Sequence, residues 1–318
     1  MATKYSIDQQ KLALDLSLTR SSIVVEDSED EYVSLEFLGL RKRTAEEIFS
    51  ISFRNNRLHV KEKENTHPPA FLSLLNASAE GDMVLRVPPG TAVSGKIATV
   101  KGDIKADQLK FHGEIRTLTG KISVREIISD GLEINTVGGS VFLGSLQGFL
   151  NGKSVTGRFT IDRGIFKEIN LNTVSGDVRL KGNFELASDG AISTMSGDIH
   201  LDITSFSAGK QLTLSTLSGS SSTMGEYPEG AVVIKPRMPF IKNHPFRQFV
   251  PSMKEMFSTY FSHSQKHGDE VEVEAESLSE AQTQQDKESR KMILQMLSEG
   301  KISVEEAERL IKALGDKG

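Results

Sequence analysis

Glycines and apolar residues recur together through the middle of the chain. The main glycine series has spacings of 18, 19, 18, 19, 21 and 22 residues, and its members are Gly102, Gly120, Gly139, Gly157, Gly176, Gly197 and Gly219. A small polar residue precedes most of these glycines, and an apolar residue often follows two positions later. A weaker series lies between them at Gly95, Gly113, Gly131 and Gly148. Each period therefore contains two turn-and-strand units.

This period predicts a β-solenoid over residues 90–235. No window between about 90 and 225 has the three-to-four apolar spacing of a sustained helix, and the period is too short for a propeller blade. We therefore predict an all-β fold, a single-stranded β-solenoid with about 18–22-residue coils, in which apolar side chains stack on their equivalents one coil away. The predicted inward-facing residues are Ile104, Ile122, Val141, Phe159, Val178 and Ile199.

The main glycine series predicts the corners of the coils. A glycine permits a positive φ and also lets the next coil approach closely. A positive φ or a close approach of the next coil would each explain why these corner positions hold glycine and not a larger residue. The predicted solenoid corners are Gly102, Gly120, Gly139, Gly157, Gly176 and Gly197.

Shorter alternating runs fill the N-terminal region, residues 1–89. They predict strands near residues 23–25, 32–37, 48–53, 58–60 and 83–87, with Asn55-Asn56 as a hairpin turn. An open solenoid end exposes unpaired strand-edge groups. We therefore expect this region to cap one end of the solenoid.

An aromatic and basic segment, residues 236–267, follows the repeat. Apolar residues at a spacing of three and four predict an amphipathic helix there, and net charge over the segment is +4. The helix would either cover the last coil or bind a membrane surface or a partner. The residues that carry this prediction are Phe246, Phe249, Met253, Phe257 and Phe261.

Residues 268–286 predict an acidic linker, and residues 287–318 predict an α-helical hairpin. Gly300 ends the first helix of the hairpin, and the capping box Ser303–Glu306 begins the second. So short a hairpin buries little apolar surface, so we expect it to bind a protein partner or a second copy of the chain. The residues of its apolar face are Met292, Ile293, Met296, Leu297, Leu310, Ile311 and Leu314.

Composition excludes several classes of chemistry. The 318 residues include no cysteine, which removes disulfides, thiol nucleophiles and cysteine zinc sites, and the net charge of −5 gives no reason to expect a nucleic-acid partner.

No signal sequence or apolar run long enough to span a membrane is found. We therefore expect a cytoplasmic protein, with membrane association left open.

Two constellations of residues were considered as reaction or metal sites. Stacked coils would place Asp177 and Asp198 about 5 Å apart, the separation used by retaining glycosidases. Aspartate after glycine is also a common turn residue that caps its own backbone. His263 and His267 have the spacing of a helical zinc pair or of an ordinary surface pair. We predict no enzymatic activity, cofactor or metal.

The repeats NTVSGDV (172–178) and STMSGDI (193–199), after MVLRVPPG (83–90), resemble the bacterial putative-adhesin family of β-solenoid proteins. The segment RKMILQMLSEGKISVEEAERL (290–310) is similar to the short bihelical module that often accompanies that family. The resemblance implies a non-enzymatic solenoid, linked in some members to envelope stress and antimicrobial-peptide defence in Gram-positive bacteria. It supplies no catalytic residues.

Three functional hypotheses follow from these observations. The first is a non-enzymatic binding or scaffold protein in the cell-envelope stress response. The second is a scaffold that polymerises end to end, as bactofilins do. The third is a carbohydrate-active enzyme on one face of the solenoid.

Overall fold

The computed structural model describes residues 2–8, 10–40, 43–63, 81–207 and 209–235. The predicted amphipathic helix, acidic linker and helical hairpin lie outside these residues. Within them, no helix has the length and apolar character needed to cross a bilayer. The elements are β1 (Thr3–Tyr5), β2 (Lys11–Leu18), β3 (Ile23–Asp27), β4 (Val33–Leu38), α1 (Ala45–Ile48), β5 (Phe49–Arg54), β6 (Arg57–Glu62), β7 (Asp82–Val87), β8 (Ala92–Thr99), β9 (Ile104–Thr117), β10 (Ile122–Thr136), β11 (Val141–Ser154), β12 (Phe159–Thr173), β13 (Val178–Phe184), β14 (Gly190–Thr194), β15 (Ile199–Phe206), β16 (Leu212–Thr216), β17 (Ser221–Gly225) and β18 (Val232–Lys235).

The strands form a solenoid with two columns of parallel pairs. One column stacks β6, β2, β8, the C-terminal halves of β9 to β12, and then β14, β16 and β18. The other stacks β7, β3, the N-terminal halves of β9 to β12, and then β13, β15 and β17. Each of the long strands β9 to β12 therefore contributes to both columns. The predicted all-β solenoid is confirmed.

The N-terminal coils are not stacked in chain order. The coil formed by β2 and β3 lies between the coil of β6 and β7 and the coil of β8 and β9. Outside them, β5 pairs antiparallel with β6, and β4 with β7. Asn55 and Asn56 both have positive φ, 50° and 56°, which is the geometry of a tight β-hairpin turn. The prediction omitted β2, although its residues alternate between apolar and polar.

The interior is a column of apolar side chains in register from coil to coil. The predicted inward-facing residues are all buried, with at most 1% exposed. Ile104 pairs with Ile122, Ile122 with Val141, and the column continues through Phe159, Val178 and Ile199. A second stack consists of the aromatic rings of Phe166, Phe184 and Phe206. The ring centroids of Phe166 and Phe184 are 4.8 Å apart, and those of Phe184 and Phe206 are 5.8 Å apart.

Of the two properties considered for the corner glycines, close approach to the next coil is the one that the structure shows. None of the main series has φ in the left-handed region. Instead, a Cβ atom on Gly157 would lie 1.8 Å from the backbone oxygen of Gly139. Positive φ occurs in the weaker series, at Gly95, Gly113 and Gly148.

A buried hydroxyl lies three residues before each corner glycine. Its oxygen accepts a hydrogen bond from the glycine N–H at 2.8 to 3.2 Å. The prediction noted only the small polar residue immediately before the glycine and missed this spacing. The hydroxyl-bearing residues are Thr99, Thr117, Thr136, Ser154, Thr173, Thr194 and Thr216, each with at most 8% exposed.

One corner uses a carboxylate instead. In the coil of β2 and β3, Leu18 is in register with Thr99 and has no hydroxyl to offer. The Glu62 carboxylate, from the neighbouring coil, accepts hydrogen bonds from the backbone N–H groups of Thr19 and Arg20 at 2.7 and 2.9 Å. It also pairs with the Arg20 guanidinium at 3.0 Å, and the Glu62 side chain is 1% exposed.

Candidate functional site

An open groove of about 590 Å³ crosses the outer surface of six stacked strands, β2 and β8 to β12. It follows the level at which the long strands lose their register. The β10 pairing with β9 shifts between Ile128 and Gly131, and the β11 pairing with β12 shifts between Gly148 and Phe149. A β-bulge bends its strand locally. Because these bends recur at one level in successive coils, we attribute the groove to them.

The middle of the groove is apolar. Ile128 is 44% exposed, although its register partners on the neighbouring strands, Lys110 and Gln147, are hydrophilic. The half-buried Phe149 and the buried Phe111 also line the groove. An exposed apolar side chain between polar neighbours forms an amphipathic surface.

Three lysines, Lys11, Lys110 and Lys167, line the groove and are exposed. Within the part of the chain that the structure describes, none of them forms an ion pair. Lys110 on β9 and Lys167 on β12 are three coils apart, which is about 14 Å at the usual strand spacing.

Two aspartates balance part of this positive charge. Asp8 lies at the end of the groove that contains Lys11. The Asp130 carboxylate lies 2.8 Å from Nδ1 of His112, and this hydrogen bond lowers the pKa of Asp130. The groove lining therefore includes three lysines and two aspartates.

A smaller pocket of about 180 Å³ continues from the groove and shares Val93, Lys110 and Ile128 with it. Thr91 lines this pocket and is 4% exposed. Its hydroxyl has no hydrogen-bond partner among the described residues. Buried polar groups are usually satisfied by protein or water, so this hydroxyl is an available bonding group next to the groove.

The two aspartates considered as a glycosidase pair connect neighbouring coils instead. The Asp177 carboxylate accepts hydrogen bonds from the Arg158 guanidinium at 3.1 Å and from the Asp198 N–H at 3.2 Å. The Asp198 carboxylate accepts from the N–H and hydroxyl of Ser220 at 2.7 and 2.8 Å. The interpretation that each aspartate caps its own backbone is wrong. Each carboxylate instead accepts a hydrogen bond from a backbone N–H of the next coil, which lies one strand spacing away.

The electrostatics of Asp198 also argue against a general acid. Its hydrogen bonds from Ser220 lower its pKa, whereas a catalytic acid needs a raised pKa. Neither Asp177 nor Asp198 lines the groove.

Sequence reasoning did not identify the groove residues. The predicted partner and membrane residues, from Phe246 to Leu314, and both histidines of the zinc alternative lie outside the described residues. The weaker glycine series was the available signal, because Gly148 lies in the groove and Gly113 and Gly131 are at the same level in neighbouring coils.

Several solved structures are similar to this chain. A putative adhesin from Bacteroides fragilis is 13% identical with a TM-score of 0.40, and the match covers 70% of this chain and 96% of that chain. A putative lipid binding protein from Parabacteroides distasonis is 16% identical with a TM-score of 0.32, covering 74% and 96%. A putative adhesin from Parabacteroides merdae is 13% identical with a TM-score of 0.31, covering 71% and 96%. No curated protein matches the sequence.

Sequence families cover most of the chain. Residues 288–318 match a SHOCT-like domain, which agrees with the predicted short C-terminal module. Residues 10–227, which include every strand from β2 to β17, match the family described as Toastrack DUF4097. These matches confirm the resemblance to the putative-adhesin solenoids, and the chain belongs to the Toastrack DUF4097 family.

Proposed function

We propose that this protein is a non-enzymatic binding protein whose solenoid holds a ligand in the groove crossing β2 and β8 to β12. The observation that carries the proposal is the groove itself, where the exposed Ile128 lies between lysines that have no ion pair with any described residue. Because the groove lies on stacked, hydrogen-bonded strands, its shape is largely preformed, as the shapes of ligand sites usually are.

Native mass spectrometry of the full chain, purified from its own host, tests this proposal. We expect a retained mass that is lost in the variant Ile128→Asp. Met224→Asp is a matched control, because Met224 is also exposed and lies on a strand outside the groove. A chain that retains no ligand from its host, or one that is retained equally by both variants, would contradict the proposal.

The C-terminal module supplies the connection to other proteins in this proposal. Its sequence match to a SHOCT-like domain and the predicted apolar face around Met292 and Leu310 support association with a protein partner or a second copy. The cell-envelope stress context comes from the family resemblance. A pull-down with and without residues 287–318 tests the connection, and unchanged partners after the deletion would reject it.

Peripheral membrane contact through residues 246–261 is a further part of the proposal. Its support is the sequence, in which phenylalanines and basic residues occur together. Liposome flotation of the full chain should depend on anionic lipid and should weaken in the double variant Phe257→Ala, Phe261→Ala. Flotation that is unchanged in this variant would reject membrane insertion.

A polymerising scaffold is the second candidate, supported by the last described coil. Ile234 is 48% exposed, although it is in register with Leu214, which is buried. Among the described residues, no strand pairs with the outer edge of β17 or β18. Sedimentation tests this candidate: a filament former pellets, and Ile234→Lys should then abolish pelleting. A soluble monomer or small oligomer at high concentration would reject it.

A further inference from the structure

We propose that the groove binds an anionic amphiphile, a molecule with one acyl chain and an acidic head group. This inference rests on the proposed function and names the ligand class of the same site. It depends on three properties of the groove: its lysines, which form no ion pair within the described part of the chain, its apolar middle and its extended shape.

The groove lysines are available to bind an anion. Some charged side chains elsewhere on the solenoid pair across adjacent coils, as in Arg125 with Asp107 and Lys181 with Asp202. Lys110 and Lys167 have no such pair among the described residues. A lysine ammonium is a mobile point charge that suits a carboxylate or phosphate head group.

Because the middle of the groove is apolar, we expect the ligand to have an apolar part as well as a negative charge. Between the two lysines lie Ile128, 44% exposed, and the half-buried Phe149. Inorganic phosphate would leave these side chains in water. An acyl chain lying over them would remove apolar surface from water on both molecules, which favours binding.

The shape of the groove favours a chain over a compact ligand. The groove crosses six successive strands from β2 to β12, a length of about 24 Å at the usual strand spacing. Its volume of about 590 Å³ lies within the usual range for small-molecule sites. A site of this length and volume has room for one extended acyl chain.

Strand pairing argues against an extended peptide. Strands β8 to β11 each have a parallel partner on both sides, so their backbone groups are used within the solenoid. A peptide that adds to a sheet needs a free strand edge. Recognition in the groove therefore depends on side chains.

The surrounding charges place the head group at one end. Asp27 and Glu126 line the smaller pocket beyond Lys110 and would repel an anion. Lys167 lies at the other end, on the strand farthest from that pocket. We place the acidic head group at Lys167 and the tail over Phe149 and Ile128, directed toward the smaller pocket.

Calorimetric titration of the full chain with monomeric palmitate tests this proposal. We expect saturable binding that weakens at least tenfold in Lys167→Glu and at least tenfold in Ile128→Asp. Lys105→Glu makes the same charge change on an exposed lysine outside the groove and should change affinity by less than twofold. Palmitoylcholine, which has the same tail and a cationic head, should not compete. Circular dichroism checks that each variant is folded.

The outcomes separate this inference from the proposed function. No palmitate binding, equal effects of Lys167→Glu and Lys105→Glu, or binding only to phosphatidylglycerol vesicles would overturn the amphiphile proposal. If the native mass spectrum still shows a ligand that Ile128→Asp loses, the groove is a binding site for another chemical class. If palmitate and the retained mass are both absent, the proposed function fails as well.

Discussion

The backbone oxygen of Gly157 lies 1.9 Å from the point where a Cβ atom on Gly176 would be. A real Cβ cannot approach a backbone oxygen so closely, so a side chain at this corner must separate two coils. We predict that Gly176→Ala lowers the free energy of unfolding by about 3 kcal/mol. Denaturant unfolding, followed by circular dichroism, measures the change.

Gly138→Ala is the matched control for this corner. A Cβ on Gly138 would meet its nearest atom, the Leu118 oxygen, at 3.7 Å, which is ordinary contact. We expect little effect. Equal stability of Gly138→Ala and Gly176→Ala would contradict the close-approach explanation.

The buried hydroxyl at each corner leads to a second prediction. Thr173 is fully buried, and its hydroxyl accepts the Gly176 N–H at 2.9 Å. Thr173→Val keeps the shape but leaves this N–H unsatisfied, which should cost about 1–3 kcal/mol of unfolding free energy. Thr173→Ser keeps the acceptor and should recover most of the loss. Equal effects of valine and serine would show that the hydroxyl is not needed.

Glu62 replaces the corner hydroxyl in the coil of β2 and β3, and its removal should be costly. Glu62→Ala would leave the N–H groups of Thr19 and Arg20 without their acceptor and would remove the buried partner of the Arg20 side chain. Breaking such a pair costs about 3–5 kcal/mol. Thermal and denaturant unfolding measure this loss.

Asp202→Ala is a suitable comparison, because Asp202 pairs with Lys181 on the exposed surface. Surface pairs contribute about 1 kcal/mol or less. A Glu62→Ala variant as stable as Asp202→Ala would refute the structural role of Glu62.

Stability should fall in acid because several carboxylates are stabilised in the folded state. Hydrogen bonds from Ser220 lower the pKa of Asp198, and the Arg125 side chain lowers that of Asp107. A carboxylate with a lowered folded pKa stabilises the protein above its unfolded pKa, about 3.9 for aspartate. This contribution is lost as the pH falls through the folded pKa.

Unfolding free energies measured from pH 6 downward test this dependence. We expect Asp198→Asn to be less stable than the unaltered chain near pH 6 and to have a shallower loss of stability below about pH 4. Identical pH profiles for the two proteins would show that Asp198 does not contribute. Asp162→Asn, which makes the same change at another exposed aspartate, is the control.

The solenoid coils could be predicted from the sequence because each coil is one short stretch of consecutive residues that repeats along the chain. Glycine spacing and apolar alternation place Ile104, Ile122 and Val141 one coil apart, and the parallel register keeps them in one column. The physical role of the corner glycines was only half predictable. Close approach depends on the distance to the next coil, which a sequence period does not contain.

The groove and the order of the first coils could not be predicted from spacing. The groove joins residues from Asp8 to Lys167, and its shape depends on register shifts near Gly131 and Gly148. A repeat period does not show which strands such shifts bring to one level. Likewise, the strand β2 pairs with β6 and β8, which are not its neighbours in sequence.

The placement of β2 and β3 between later coils has a consequence for biosynthesis. Residues 11–27 are translated before the strands on either side of them, which belong to residues 57–62, 82–87 and 92–106. At roughly 5–20 residues per second, translation leaves this apolar segment without its neighbours for several seconds. The nascent N-terminus must therefore stay unpaired and unaggregated until the chain has returned to both of its edges.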